Sequence, residues 1–561
     1  MKTKQCAQCN KTYKLTDQDL EYYKRIDVPE NDLCFRCTKI KQLCWRNERV
    51  FYSRKCDCCG ADMVSCFPSD ARHPVYCNDC WWSDKFDPLE YGQEFDFNRP
   101  FFEQFSELIN KTPVGNLFID NSENSKYTNL ATNNKDCYML TAADFCENVA
   151  YSNYCSYTKD SIDNTEVNNS ELCYEGLDLE RCYQCNYSQF LRNCNDCHFC
   201  YDLSGCQDCL GCVNLRNQNH NIFNKQYSEE DYKKKLEEFA LHTTKGARKF
   251  KEEFKKFKDK QFYAYSHNVN IENSTGDYLI NAADCKNSYN MLDSENCVNC
   301  IHGDKGTDCW DSMGLTKTEL AYNSIAVPGN TNVQFSAVVW PGSSNTKYLY
   351  LCRTANDCFG CISLHKHKFC ILNKQYPEEE YKKMLPKIIE HMKKTGEWGQ
   401  FFPMEISPWA YNETVGNDMF PLSKEQAKVH SARWQENLPY TTNKQTIELE
   451  DVPEDIKKTD IKKLENQVLV CEECGRNYKL VPQELDFYKR MNIPIPRRCP
   501  DCRYLTRFKQ RNPMTLWKRR CDCTIPTHGH DGRCTNEFET TYSPERKELI
   551  YCEECYNKEV Y

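Results

Sequence analysis

CNDCHFCYDLSGCQDCLGC, residues 194–212, is the stretch whose reading decides the fold. Cys194, Cys197 and Cys200 return twelve positions later as Cys206, Cys209 and Cys212, and Cys182 and Cys185 precede the first pair by the same twelve. Further upstream, in FIDNSENSKYTNLATNNKDCYMLTAADFCENVAYSNYC (118–155), the interval is nine: Cys137, Cys146, Cys155. A fixed short period, with Asn, Asp and Ser between brief β-prone pieces, is the signature of a solenoid. The expected architecture is a parallel β-solenoid in which each nine- or twelve-residue step is a half or whole coil. Small cysteine side chains point into a narrow interior, and Asn and Asp take the corners because they tolerate left-handed backbone.

The array is duplicated. DCLGCVNLRNQNHNIFNKQYSEEDYKKKL (208–236) ends one copy and DCFGCISLHKHKFCILNKQYPEEEYKKML (357–385) ends the other. Both place Asn-Lys-Gln-Tyr just before a helix start, and the helices are expected to cap exposed strand edges. The C-x2-C-x2-C triplets match the first three positions of a ferredoxin-type iron–sulfur run. They lack its x3-Cys-Pro completion, and the twelve-residue offset accounts for both triplets as successive rungs. Stacked buried thiols are therefore the first reading, extra zinc between rungs the second, and iron–sulfur the last.

A second duplication lies outside the arrays. CAQCNKTYKLTDQDLEYYKRIDVPENDLCFRC (6–37) and CEECGRNYKLVPQELDFYKRMNIPIPRRCPDC (471–502) have the same spacing, two CxxC knuckles 24 residues apart. Each is followed after 18 residues by CDC, and each copy ends in a further CxxC, Cys77/Cys80 and Cys552/Cys555. Two such knuckles supply the four thiolates of a closed, structural zinc site, because a two-residue gap lets both sulfurs face one ion. The expected ligands are Cys6, Cys9, Cys34 and Cys37; Cys56, Cys59, Cys77 and Cys80; and Cys471, Cys474, Cys499 and Cys502. The last site takes Cys534, Cys552 and Cys555 with Cys521 or Cys523, and His528 or His530 is an alternative supplied by the insertion TIPTHGHDGR. That makes about four structural zinc ions.

Composition fits this reading. The chain has 561 residues, 40 of them cysteine, and only 40% hydrophobic residues. Its mean hydropathy of −0.80 is low for a conventional large core. No signal-peptide pattern and no run of 18 apolar residues is present, so a reducing cytoplasm is expected, where paired cysteines mean metal before disulfide. Overall charge is −9, yet residues 471–520 carry 13 Lys and Arg against five Asp and Glu. The basic stretches TKIKQLCWRNERVFYSRK (38–55) and RYLTRFKQRNPMTLWKRR (503–520) interleave aromatic residues. Arg46, Arg54 and Lys55 in the first, and Arg507, Lys509, Arg511, Trp517, Lys518, Arg519 and Arg520 in the second, suit phosphate contacts and base stacking. A soluble face or a dock for an acidic protein is the competing reading.

The expected order is an N-terminal double zinc module (1–98), a first cysteine-rich solenoid (99–226) and capping helices (227–275). A second solenoid (276–376), helices with a charged linker (377–467) and a C-terminal double zinc module (468–561) follow. The fold class is mainly β with small α. The linker YTTNKQTIELEDVPEDIKKTDIKKLENQ (440–467) is expected to isolate the last module.

CNDCWWSDKFDPLEYGQEFDFNRPFFEQF (77–105), CVNLRNQNHNIFNKQYS (212–228) and CTNEFETTYSPERKELIYCEECYNKEVY (534–561) carry a resemblance over nearly the whole chain. The chain resembles an uncharacterised family of cysteine-rich zinc-ribbon repeat proteins found in candidate-phyla bacteria and giant DNA viruses, some of them mislabelled CaiB/BaiF. The resemblance implies zinc and repeats, a bacterial cytoplasm or a host cytoplasm or virion, and brings no catalytic residue. The chain has no GxSxG, P-loop or HExxH motif and no GxGxxG in a fitting context. The reading is a non-enzymatic zinc scaffold whose basic modules bind RNA or a ribonucleoprotein, with no membrane and no small-molecule substrate inferred. The alternatives are an assembly protein binding proteins through its solenoid faces and, last, a β-helix enzyme.

Overall fold

The computed structural model describes residues 1–561, mostly sheet with some helices. It divides into two compact units. The first comprises residues 1–117, 266–438 and 514–516; the second comprises residues 118–265, 439–513 and 517–561.

In the second unit the chain builds a parallel ladder with a repeat of twelve. One column of paired positions runs Asn129, Thr141, Asn153, Thr165, Leu177, Gln189, Tyr201, Val213, each paired with the next, twelve residues on. Backbone φ is left-handed at every third residue from Asn121 to Phe223, glycine taking two of these positions, 205 and 211. A turn of twelve thus has four three-residue sides, each spanning roughly 10 Å at strand rise. Every cysteine of this ladder directly follows a left-handed residue and is buried. The interval of nine is therefore three sides of the same twelve-residue turn, which carries the next cysteine onto an adjacent side. It is not a half coil, as expected from the sequence.

The left-handed corners are less restricted than the Asn and Asp pattern suggested. Asn124 does donate to Asp136 at 2.6 Å, twelve residues on. Many corners are large, however, among them Tyr127, Leu130, Phe145 and Tyr157. Left-handed backbone costs such residues about 1–2 kcal/mol each. Ring stacking between successive turns offsets part of it: Phe145 lies on Tyr157 with centroids 4.8 Å apart, and Tyr187 on Phe199 at 4.4 Å.

The interior explains the cysteines. The Cys197 thiol faces the carbonyls of Asn195 at 3.3 Å and Cys206 at 3.6 Å, and Cys200 repeats this with His198 and Cys209. Ser188 makes the same two contacts with its hydroxyl, to Asn186 and Cys197. A small side chain with one weak donor satisfies a narrow bore lined by carbonyls. Cys197→Ser should therefore cost only about 1 kcal/mol, checked by the denaturant midpoint. A loss several times larger would mean that the interior thiols hold something a hydroxyl cannot.

The last ladder strand, Asn219–Ile222, is closed by an antiparallel pairing with Lys225–Gln226. Ser228 caps the helix Glu229–Glu238, and Tyr232 with Phe250 of Thr244–Lys258 packs on Phe199, Leu210 and Ile222. The reversed strand pair blocks the edge, while these helices pack on the large side chains of its last turns.

The first unit contains the second ladder, from Val269–Glu272 to Cys370–Ile371. Its offset is eleven at Val269↔Ile280, twelve through Ile301↔Met313, and thirteen at Thr331↔Ser344. The last is an inserted residue absorbed at left-handed Gly342.

Each cysteine module is seated on the ladder of its own unit. In the first unit Tyr22 stacks on Trp310 at 3.8 Å, Asp19 accepts from Trp310 Nε1 at 2.9 Å, and Gln42 donates to Asn323 at 2.7 Å. In the second unit Leu485, Tyr488 and Ile495 pack with Ala150, Tyr151, Ile162 and Tyr174. Strand Leu549–Tyr551 pairs in parallel with Phe262–Ala264. Val452, Ile456 and Leu464 belong to the same apolar cluster as the ladder and module, so 440–467 is not the isolating linker expected from its charge pattern. Val452, Ile456 and Leu464 are buried, Ile447, Leu449 and Ile461 half-buried against the same cluster, and most of its charges face outward.

Candidate metal centres

Four groups of four cysteines each bring their sulfurs within 4.8 Å of one another. They are Cys6, Cys9, Cys34 and Cys37; Cys56, Cys59, Cys77 and Cys80; Cys471, Cys474, Cys499 and Cys502; and Cys521, Cys534, Cys552 and Cys555. One construction recurs in all four. A β-hairpin supplies the first sulfurs, as in Lys2–Gln5 with Thr12–Leu15, Tyr52–Lys55 with Asp62–Ser65, and Val468–Val470 with Asn477–Lys479. The second pair begins at a helix N-cap: Cys34, Cys77, Cys499 and Cys552.

At each cap the backbone N–H donates to the first sulfur of the site. These contacts are Cys34 to Cys6 at 3.4 Å, Cys77 to Cys56 at 3.1 Å, Cys499 to Cys471 at 3.2 Å and Cys552 to Cys521 at 3.2 Å. Left-handed Asn10, Gly60 and Gly475 close three of the knuckles. Sulfur separations of 3.7 Å for Cys9–Cys34, 3.9 Å for Cys59–Cys77 and 3.7 Å for Cys474–Cys499 match the ~3.8 Å edge of a tetrahedron with metal–sulfur bonds of about 2.3 Å.

Electrostatics favours thiolate at one sulfur of each group, Cys34, Cys56, Cys471 and Cys552, whereas burial and neighbouring sulfurs push others, among them Cys9, Cys77, Cys499 and Cys555, up. Burial works against ionising Cys56, yet the N–H groups of Cys77, Cys59 and Cys58 outweigh it and bring the thiol down to about 7. Cys471 reaches about 7 for the same reasons, through Cys499, Cys474 and Glu473. The Cys37 thiol, donating to Cys34, holds that sulfur down at about 5. All four groups fit a structural metal ion, with every coordination position filled by protein.

The choice left open by the sequence falls to Cys521. Cys523 falls in an adjoining group with His528 and His530, which shares Cys555 with the first. The ten-residue insertion splits the fourth knuckle, so spacing alone did not decide between Cys521 and Cys523.

The basic residues are placed differently from the expectation. Arg507 is buried and donates to Asp163 at 3.1 Å, and Arg511 pairs with Asp178 at 2.9 Å and Glu166 at 3.3 Å. Arg46 is buried against Glu48 at 2.6 Å. Arg54 pairs with Asp57 at 2.7 Å and Arg519 with Asp522 at 2.8 Å, equivalent positions in which the guanidinium also reaches a backbone carbonyl, Pro68 or Ser543. These five arginines brace the modules and are not presented to phosphate. Lys55 is exposed beside Asp62 at 3.0 Å. Lys509, Lys518 and Arg520 are exposed, Arg520 donating to the Cys534 carbonyl at 2.8 Å, and Trp517 is half-buried. Sequence reasoning also missed Arg503, wholly buried beside Asp163 at 2.8 Å. Nothing in a basic stretch separates an arginine that faces carboxylates from one that faces water.

No helix is long and apolar enough to cross a membrane. No family model matches the chain, and no curated protein matches it.

Proposed function

We propose that the chain is a non-enzymatic zinc-stapled scaffold in which duplicated zinc-ribbon modules clamp two cysteine-rich β-solenoid arrays and the array faces bind other proteins. The observation that carries this reading is the burial of Arg503, Arg507 and Arg511 against Asp163, Glu166 and Asp178. Five of the nine cationic residues that suggested a nucleic-acid surface, Arg46, Arg54, Arg507, Arg511 and Arg519, are instead paired with carboxylates inside the protein, and Arg507 and Arg511 hold a module on its array. Zinc is the ion proposed because four thiolates in a closed tetrahedral set are its common structural site.

RNA binding is the second reading, and it rests on exposed Lys509, Lys518 and Arg520. Binding of the full-length protein to a single-stranded RNA oligonucleotide across a salt series separates the two. The scaffold reading expects no strong binding at physiological salt and a cross-linked protein partner that survives nuclease. An affinity falling with a log–log slope of about −0.7 per phosphate, and lost on reversing those three charges, would replace the scaffold reading with RNA recognition.

A further inference from the structure

The insertion in the fourth knuckle builds more than a loop. Residues 524–533 bring His528 Nδ1 to 3.2 Å from the Cys523 sulfur and His530 Nε2 to 3.6 Å from the Cys555 sulfur. These four ligand atoms lie within 4.8 Å of one another. The remaining nitrogen of each ring is held by an oxygen. His528 Nε2 lies 3.0 Å from a Glu559 carboxylate oxygen, and His530 Nδ1 lies 3.0 Å from the Gly532 carbonyl. An outer nitrogen facing an oxygen acceptor must carry the proton, which leaves the inner lone pair of a neutral ring aimed at the sulfurs. That is the outer-shell arrangement that orients metal-binding histidines.

The loop is fixed to present these rings. A single turn, Pro526–His528, ends at left-handed Gly529, and left-handed Gly532 turns the chain back toward Cys534. Lys558 donates to the His528 carbonyl at 2.7 Å. Cys555, Lys558 and Glu559 share one face of the helix Glu553–Val560. Cys523, His528 and Cys555 are buried, His528 to 6% exposure. The equivalent of Cys523 in the N-terminal module is Cys58, which is exposed, with no insertion following it.

We infer that the C-terminal module holds a second metal ion, bound by Cys523, His528, His530 and Cys555, with the Cys555 thiolate bridging it to the ion of Cys521, Cys534 and Cys552. The inference rests on the four-cysteine reading for the neighbouring ion and adds a fifth ion to the chain. A thiolate has lone pairs for two metals. A single dication would leave five closely packed sulfurs under-neutralised, whereas a second brings its own two neutral nitrogen ligands. Two cysteines and two histidines in a closed set suit zinc.

The test uses anaerobically purified full-length protein loaded with zinc alone. Elemental analysis should give five zinc ions per chain, and X-ray absorption should show imidazole nitrogen at about 2.0 Å beside the dominant sulfur shell. The His528→Asn/His530→Asn variant should lose one ion and the nitrogen signal, while Cys58→Ser changes neither. Four ions with an all-sulfur shell in the unaltered protein overturn the inference and leave the four-cysteine sites standing. Fewer than four overturn both. Because the absorption spectrum is read on the unaltered protein, a misfolded variant does not decide the outcome.

Discussion

Asp163→Asn is expected to destabilise the second unit by about 3–5 kcal/mol, the usual cost of removing one partner from a buried charge cluster. Asp163 is fully buried at a left-handed corner, with φ of 59°. It takes one guanidinium contact from Arg507 at 3.1 Å and one from Arg503 at 2.8 Å. The Arg503 contact is a charge pair at an angle too poor for a hydrogen bond, and its second partner, Glu484, stands at 3.5 Å. Burial raises the Glu484 carboxyl against the pull of Arg503, so that residue is a reluctant replacement anion. Asparagine keeps the side-chain shape and tolerates left-handed backbone, so the change isolates charge from geometry. Two guanidiniums are then left in a dry site. Removing them as well, with Arg503→Met and Arg507→Leu, should recover much of the loss, since well-packed apolar replacements of buried ion clusters are often neutral or better.

The control is Asp160→Asn one side earlier on the ladder. Asp160 is partly exposed and meets Arg490 at 3.3 Å, and a solvent-screened pair of this kind contributes at most about 1 kcal/mol. Equal shifts in the urea midpoint for the two variants would mean that Asp163 does not clamp the module, and the scaffold reading would lose its main support.

These two aspartates also show how much was legible in the sequence. Asp160 and Asp163 are both corner residues, and a corner Asp looks the same whether it faces water or two arginines from a module more than 300 residues away. Local periodicity survives in the sequence because each ladder turn repeats the same environment. The cysteine step of twelve, the knuckle spacing and the start of the helix at Ser228 were therefore readable. The step of nine was misread because it needs the side length, three residues, which the cysteines alone do not give. Docking is a pairing of single residues, such as Asp19 with Trp310 and Arg507 with Asp163, and leaves no period at all. The second histidine-containing group was half visible. His528 and His530 stand out in the insertion, but in one dimension they read as substitutes for one cysteine, because spacing has no means to let Cys555 serve two groups.

Cys471→Ser with Cys474→Ser is expected to unfold more than the module that carries them. Structural zinc contributes roughly 10–16 kcal/mol in finger peptides, as much as the total stability of a typical domain, about 5–15 kcal/mol. With zinc proposed for this group, the hairpin Val468–Val470 with Asn477–Lys479 and the helix Pro500–Phe508 are expected to be lost with two of its four ligands. The helix carries Arg503 and Arg507, and the module supplies Leu485, Tyr488, Ile493 and Ile495 to the cluster that covers Ala150, Tyr151, Ile162 and Tyr174. Losing it exposes those ladder residues and strips Asp163 of its cations. Hydrogen exchange should show protection falling at the paired strands Glu147–Ala150, Lys159–Ile162 and Thr165–Asn168, whose amides would be fixed if the ladder were self-sufficient. Farther along, Asn195–His198 and Gln207–Leu210 lie where the chain packs on Tyr232 and Phe250 and should keep more of their protection. If protection across 147–168 is unchanged while the module alone is lost, residues 440–467 act as the separating linker that their charge pattern first suggested, and the module is a passenger on the ladder.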